Sequence, residues 1–330
     1  RVAQADGAAD TNWVPGIDEV VYAIQVASND VYVGGVFGMI GADSASNLGR
    51  VSKETGAMDT NWLGSAQDDV LDLAIDGDKL YVAGESEGSV YFLAIQGNSG
   101  LVRLDLNTGI KDTNWNPRVA GTVRKIAVED TVVYAVGEFA RVGSALKRNI
   151  VRMDKAGGAA DMSWCQGAAD YCCALAYDGR DLYVGGLLKL IGTSAVSGIA
   201  RLDSATGGAD PDFEAYCETP AEIMALARQA DGKIIVGGYF HRAGGAFRSN
   251  LARLCPDGAV DPAWAPDPDS AVFDLALDGT NIYAGGAFSV IGGRTRVGVA
   301  RLSMEDGAAD AAWESPLGGF PITAASDGGS

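Results

Sequence analysis

The sequence holds a single histidine, His241, among its 330 residues. A catalytic triad or an imidazole-based metal centre therefore has almost no material to draw on. Basic residues are also scarce: 25 Lys and Arg stand against 43 Asp and Glu, a formal net charge of -18. Nucleic-acid binding takes much of its affinity from Lys and Arg neutralising phosphates, so this balance argues against DNA or RNA as a partner and equally against an anionic lipid surface. Long apolar runs are missing: the nearest approach, 187–200, is broken by Lys189 and by several Gly and Ser, so no membrane insertion is expected. The chain opens on Arg1 without a charged, apolar, small-residue leader, so an export signal is expected to have been removed or to lie outside these residues. The five cysteines, Cys165, Cys172, Cys173, Cys217 and Cys255, are an odd set with no C-x-x-C pair. Their spacing is compatible with a disulfide in an exported protein and with plain buried thiols, and it selects no pairing.

Glycine, by contrast, is plentiful, at 45 residues, about twice the ordinary share. At 47% hydrophobic residues the chain can bury a large core, which excludes intrinsic disorder. The glycines belong to a repeat. The pattern G-x-x-D-x-x-[W/F] occurs seven times, ending on Trp13, Trp62, Trp115, Trp164, Phe213, Trp264 and Trp313, with successive anchors 49, 53, 49, 49, 51 and 49 residues apart. Its aspartates are Asp10, Asp59, Asp112, Asp161, Asp210, Asp261 and Asp310, and an arginine stands 11 or 12 residues before each aromatic: Arg1, Arg50, Arg103, Arg152, Arg201, Arg253 and Arg301. The chain accordingly divides into a partial repeat 1–13, six repeats (14–62, 63–115, 116–164, 165–213, 214–264 and 265–313) and a partial repeat 314–330.

Each period reads as short strands. A first segment, such as 21–26, 70–75, 123–128, 172–177, 223–228 or 272–277, is apolar on both faces and must be covered on both. A tight turn, often Asp-Gly, leads to a second strand such as Val31-Tyr32-Val33-Gly34-Gly35, whose paired glycines predict a bulge or a close backbone approach. A third strand carries the recurrent Arg, and the G-x-x-D turn begins a fourth. Four antiparallel strands about every fifty residues predict an all-β fold, a β-propeller of four-stranded blades forming a single domain over 1–330. A β-solenoid, the rival, has shorter repeats and parallel strands. The ring is expected to have six blades, with the ends as spare strands, or seven, with the last assembled from residues 1–13 and Ile322–Gly328; a chain cut from a longer protein would show the same ends. A Trp wedged between blades is worth roughly 4 to 6 kcal/mol as an upper estimate. The Asp suits turn capping, and the Arg suits stacking on the ring or pairing with the Asp, so the seven constellations are expected to be structural.

The composite V-x-x-L-A, Asp-Gly turn, I-Y-V-G-G-x-F, L-A-R-L and G-x-x-D-x-x-W resembles the delta-60 repeat family, a bacterial β-propeller repeat of unassigned function, most closely over Ile223–Trp264. The stretch Arg103–Trp115 is also similar to the tryptophan-docking repeat of quinoprotein propellers, although its Asp-to-Trp spacing is longer and no long cofactor-bearing insertion is visible. Neither resemblance implies catalytic residues.

With that strand order, the connections into each first strand and the loops between second and third strands emerge at one end. Those connections carry Asp18, Glu19, Asp68, Asp69, Asp170, Glu218, Glu222, Asp267 and Asp269. Together they predict an acidic rim, fit for calcium as the one expected cofactor or for a solvated surface of an exported protein. No D-x-D-x-D-G loop is present. His241 reads as a surface-loop residue beside Arg242, and Cys172–Cys173 as core packing. The function expected is a non-catalytic module at the cell surface, secreted or periplasmic, that binds a protein or surface glycan: an adhesin, surface-layer or appendage component. The alternative is a hydrolase or lyase that acts on polysaccharide through the loop carboxylates.

Overall fold

A computed structural model describes residues 1–85, 99–165, 167–218 and 221–315. Among the described residues every regular element is a β-strand, and the strands named below pair antiparallel. They fall into two compact units, Asn12–Cys172 and Arg1–Thr11 with Cys173–Ser330.

In the unit Asn12–Cys172 the sheets are Val20–Val26, Asp30–Val36 and Leu48–Ser52; then Val70–Asp76, Lys79–Gly84 and Leu101–Asp105; then Val119–Val128, Val132–Val142 and Ile150–Asp154. In the other unit they are Cys172–Tyr177, Asp181–Gly186 and Ile199–Asp203; Glu222–Arg228, Ile234–Tyr239 and Leu251–Leu254; and Val272–Asp278, Asn281–Gly286 and Val299–Ser303, the first of them starting at the unit boundary. The second strand of each sheet is central and mostly buried, as its apolar run requires. The first strands fall where the sequence predicts them, except that Val119–Val128 begins four residues early.

The expected four-stranded blade needs correction. Beyond the third strand the chain makes only single bridges, Val51↔Met58, Leu104↔Lys111, Met153↔Ala160, Leu202↔Ala209, Leu254↔Val260 and Leu302↔Ala309. The G-x-x-D turn itself prevents a longer pairing. Gly56 is left-handed at φ 76°, and the Asp59 carboxylate accepts the Asn61 N–H at 2.9 Å, curling the chain back on itself after one bridge. A small hairpin unforeseen in the sequence fills the second-to-third loop, as at Met39–Ile40 with Asp43–Ser44 and Arg242–Ala243 with Ala246–Phe247.

The paired glycines serve two different contacts. The register slips between Val21 and Ala23, opposite Gly34 and Gly35. A Cβ on Gly35 would lie 2.0 Å from the Val20 carbonyl oxygen, and one on Gly238 2.1 Å from that of Glu222. The first glycine of the pair faces the next sheet instead: a Cβ on Gly34 would meet Val70 at 2.3 Å, and one on Gly185 would meet Ile223 at 2.5 Å. One glycine permits the bulge and the other permits sheet-on-sheet packing.

The cores accordingly lie between successive sheets. Tyr32, Leu48 and Trp62 of the first repeat share a cluster with Val70, Leu80 and Val102 of the second. Phe213, Ile223 and Ile234 join the fourth and fifth repeats, and Ile235, Trp264, Val272 and Ile282 the fifth and sixth. The segment 1–11 takes the place of a following repeat beside the sixth. Trp313 donates its indole N–H to the Ala3 carbonyl at 3.2 Å, Glu314 its amide N–H to that of Asp6 at 2.9 Å, and the Arg301 guanidinium bonds the Gln4 carbonyl. Ile322–Gly328, the predicted complement of this segment, lies outside the described residues.

Candidate functional site

Two sets of polar contacts lie at opposite ends of the sheets, and they differ in what they leave free. The first is the seam between repeats. All seven Arg–Asp pairs form ion pairs: Arg103–Asp112 at 2.6 Å, Arg152–Asp161 and Arg201–Asp210 at 2.5 Å, Arg253–Asp261 at 2.9 Å, and closely Arg1–Asp10, Arg50–Asp59 and Arg301–Asp310. The guanidinium also lies over the anchor ring, 5.4 Å from the Trp115 and Trp264 centroids and 5.2 Å from that of Phe213. Its remaining N–H crosses to the next repeat: Arg50 to the Asn107 carbonyl at 3.1 Å, Arg103 to Lys155 at 2.6 Å, Arg201 to Pro256 at 2.5 Å. The indoles cross in the same direction, Trp13 to the Ser52 carbonyl and Trp62 to that of Leu106, both at 3.0 Å, and Trp264 to that of Ser303 at 3.1 Å. The arginine hydrogen bonds hold the Asp59, Asp210 and Asp310 carboxyls below their ordinary range.

A tyrosine completes the seam, and sequence reasoning missed it. Tyr32, Tyr81, Tyr134, Tyr183 and Tyr283 stand on the second strand directly across from the Arg. Their rings meet the anchor ring at 5.2 to 5.8 Å, mostly edge-on. Ile235 takes this position in the fifth repeat. The signal was legible as a Tyr recurring two or three residues before a glycine of the second strand.

At the opposite end, the connections into the first strands of the first, third, fifth and sixth repeats bond the hairpins. Gly41 donates to the Gly16 carbonyl at 3.0 Å, Gly244 to that of Tyr216 at 2.8 Å and Gly292 to that of Pro266 at 2.6 Å. Two of the predicted rim carboxylates are committed to this contact. Asp18 accepts the N–H groups of Gly38 and Met39, both at 3.0 Å, and Asp269 those of Ser289 and Val290 at 2.7 and 3.0 Å. Glu218 pairs with Arg242 at 3.4 Å, and Glu222 faces the Cys173 thiol at 3.7 Å. Burial, with Asp68 beside it, raises the Asp69 carboxyl. Asp170 is half-buried, and Glu19 and Asp267 are exposed. Among the described residues no three His, Cys, Asp or Glu side chains gather closely enough to hold a metal ion.

An asparagine that the sequence reading passed over also ties this end together. Asn47, Asn149 and Asn250 are left-handed, at φ 57°, 63° and 61°. Each side-chain carbonyl accepts the N–H of Phe37, Phe139 or Phe240, and each amide donates to the next connection at Gln67, Ala168 or Pro268. In the other repeats the residue three before the Arg is glycine, and there Ser197 reaches across, donating to the Cys217 carbonyl at 2.8 Å.

What varies among the described residues is the hairpin surface, and the fifth repeat gathers aromatic rings there. Tyr239 and His241 meet ring to ring at 5.6 Å. The Arg242 guanidinium lies 3.7 Å from the Phe247 ring centroid and donates to the Gly245 carbonyl at 3.1 Å. Phe247 is 74% exposed, Tyr239 46% and Tyr216 40%. Stacking on Arg242 holds Phe247 with its ring in solvent, where hydrophobicity alone would not leave it. The cysteines offer no comparable chemistry. Burial pushes the Cys217 thiol up to about 12 and raises that of Cys165, away from thiolate reactivity.

Comparison with known proteins agrees with this architecture. Residues 229–263 and 281–312 match the profile of DUF5122, a beta-propeller domain of unknown function. No curated protein sequence matches the chain. A chain of the mitotic checkpoint complex superposes with TM-score 0.60 at 16% identity, over 98% of this chain and 84% of its own. The extracellular domain of a B. thetaiotaomicron protein assigned as a one component system gives TM-score 0.56 at 14% identity, and that of a hybrid two component system from the same organism 0.53 at 11%, each over 90% of this chain. This chain spans about a third (34%) of either of those two. The fold is a β-propeller.

Proposed function

We propose that this chain is a non-catalytic propeller module that binds a protein or surface glycan through the hairpin end of its sheets, in an extracellular or periplasmic setting. The observation that carries this reading is the fifth-repeat cluster of Tyr239, His241, Arg242 and Phe247, which breaks the repeat and keeps aromatic faces in solvent. Exposed aromatics held rigid beside a guanidinium and a carboxylate suit a sugar face or a peptide. Indoles that bridge successive sheets support a resemblance to the delta-60 and tryptophan-docking repeats. The extracellular setting draws on the two extracellular domains that share the fold, and no helix among the described residues is long and apolar enough to cross a membrane. A role as adhesin, surface-layer or appendage component is one form of this reading.

The hydrolase or lyase alternative depends on loop carboxylates, and Asp18 and Asp269 already bind backbone N–H groups. Calcium at the remaining carboxylates would raise the melting temperature in millimolar Ca2+ over that in chelator; identical melting curves would remove calcium from the reading. For binding itself, the immobilised chain is set against a panel of surface glycans and cell-surface proteins. The expected result is saturable binding lost in a Tyr239→Ser, Phe247→Ser double variant, with no product formed. Glycan turnover that disappears on changing Asp68 and Asp69 to Asn would overturn the proposal.

A further inference from the structure

Ala45, Arg248 and Arg296 occupy one position in three hairpins. Each donates its backbone N–H to the same neighbour: Ala45 to Gly38 at 2.8 Å, Arg248 to His241 at 3.2 Å and Arg296 to Ser289 at 2.9 Å. Lys147 holds this position in the third repeat, two residues before Asn149, as Ala45 stands before Asn47 and Arg248 before Asn250. Wherever the residue is basic, its cationic head binds backbone carbonyls at the anchor turn of its own repeat. Lys147 donates to the carbonyls of Trp164 and Cys165 at 2.5 and 2.8 Å. Arg248 donates to Pro262 at 3.1 Å, and Arg296 to Asp310 at 2.7 Å. Lys147 is only 3% exposed, so a whole basic side chain fits between hairpin and turn. Val196 stands here in the fourth repeat.

In the first repeat the side chain is missing and the space remains. A cavity of about 280 Å³ lies between the hairpin and the Trp62 turn, lined by Asp43, Ser46, Met58, Thr60, Leu63 and Ser65 among others. That volume far exceeds the roughly 30 Å³ of one water. Thr60 stands two residues before Trp62, as Pro262 stands before Trp264, and Trp62 and Leu63 correspond to Trp164 and Cys165, the residues whose carbonyls hold Lys147. Met58 and Leu63 supply apolar wall for a methylene stem, and Asp43 adds a carboxylate that the third, fifth and sixth repeats lack at the matching place, where Ala145, Ala246 and Arg294 stand.

We propose that this cavity binds an arginine side chain presented by a partner protein, in the geometry that Arg248 and Arg296 adopt within the chain itself. The net charge of -18 complements a basic partner and steers it to the surface. This site is separate from the fifth-repeat cluster and stands or falls without it.

The test uses the full chain and three acetylated, amidated pentapeptides, Gly-Gly-X-Gly-Gly, with X as arginine, lysine or the neutral isostere citrulline. The Arg peptide should bind saturably, the Lys peptide more weakly, and the citrulline peptide at least tenfold more weakly, with the Met58 methyl resonance shifting on titration. Ala45→Arg should fill the cavity from within, abolish the methyl shift and raise the melting temperature. Should Ala45→Arg not fold, Asp43→Asn serves in its place and should weaken the Arg peptide several-fold. Equal binding of the citrulline peptide, unchanged binding by either variant, or saturation by a neutral sugar but not by the Arg peptide would overturn the proposal.

Discussion

At the seam between repeats an arginine and an aspartate pair seven times, and Arg103, Arg152, Arg201, Arg253 and Arg301 also lie over their anchor rings, whereas at the hairpin end of the same sheets the described tips all differ. Among the described residues, Asp43–Ser44, Ala145–Leu146, Ser194–Ala195, Ala246–Phe247 and Arg294–Thr295 occupy the returning arm of the hairpin in the first, third, fourth, fifth and sixth repeats. The seam polar groups are nearly all saturated within the protein, and the hairpins spend backbone atoms, a few carboxylates and the basic heads of Lys147, Arg248 and Arg296. This division separates what the fold requires from what a partner can read. The comparison breaks if substitutions at the two ends cost similar stability. Trp264, fully buried, should lose about 3–5 kcal/mol as Trp264→Ala, from both the cavity and the forfeited bond to Ser303. Urea unfolding measures this directly, and a cost below 1 kcal/mol would show that the ring is not what joins the sheets.

The ion pair within the seam should matter less than the ring. Arg301→Met removes a charge-assisted bond to Asp310 and another to the Gln4 carbonyl, and should cost about 1.5–3 kcal/mol. The same pair gives a pH signature with a definite sign. Asp310, Asp210 and Asp59 have carboxyls depressed by their arginines. Their stabilisation is therefore fully present above the unfolded-state value of about 3.9 and is lost as pH falls through the depressed folded values. The stability difference between wild type and Asp310→Asn should be constant from neutral pH to about 5 and shrink below about 4. A difference that grows on acidification would contradict the pairing.

The repeat made much of this architecture legible. The strand positions, the bulge at the paired glycines and the Arg–Asp–aromatic meeting follow from periodicity, because a feature copied six or seven times stands out from background. The fourth strand was misread because period-2 patterning says nothing of an Asx turn that ends pairing after one bridge. The acidic residues misled for a related reason: charge and position alone do not show that Asp18 and Asp269 face backbone N–H groups of their own hairpins. The asparagine tie was visible only as an alternation. Asn47, Gly100, Asn149, Gly198, Asn250 and Gly298 precede the arginines by three residues, and at all of them but Gly100 the backbone is left-handed, which Asn and Gly adopt most readily.

That tie sits at the hairpin end yet behaves like scaffold, so it sharpens the boundary between the two regions. Asn250→Gly keeps the left-handed backbone but deletes the bonds to Phe240 and Pro268, and should cost about 1 kcal/mol. Asn250→Ala should cost more, since it adds strain at φ 61° to the same loss. Equal costs for the two variants would mean that the backbone there relaxes.

The smallest effect is the most telling. Phe247 is 74% exposed and touches Arg242, whose guanidinium retains Glu218 and the Gly245 carbonyl when the ring is gone. Removing that ring uncovers little buried apolar surface, so Phe247→Ser should stay within about 0.5 kcal/mol of wild type. A residue that costs nothing to remove yet holds a large apolar face in water is not kept there by folding. Were Phe247→Ser to cost as much as Asn250→Gly, the ring would belong to the scaffold and the hairpin end would lose its claim as the surface a partner reads.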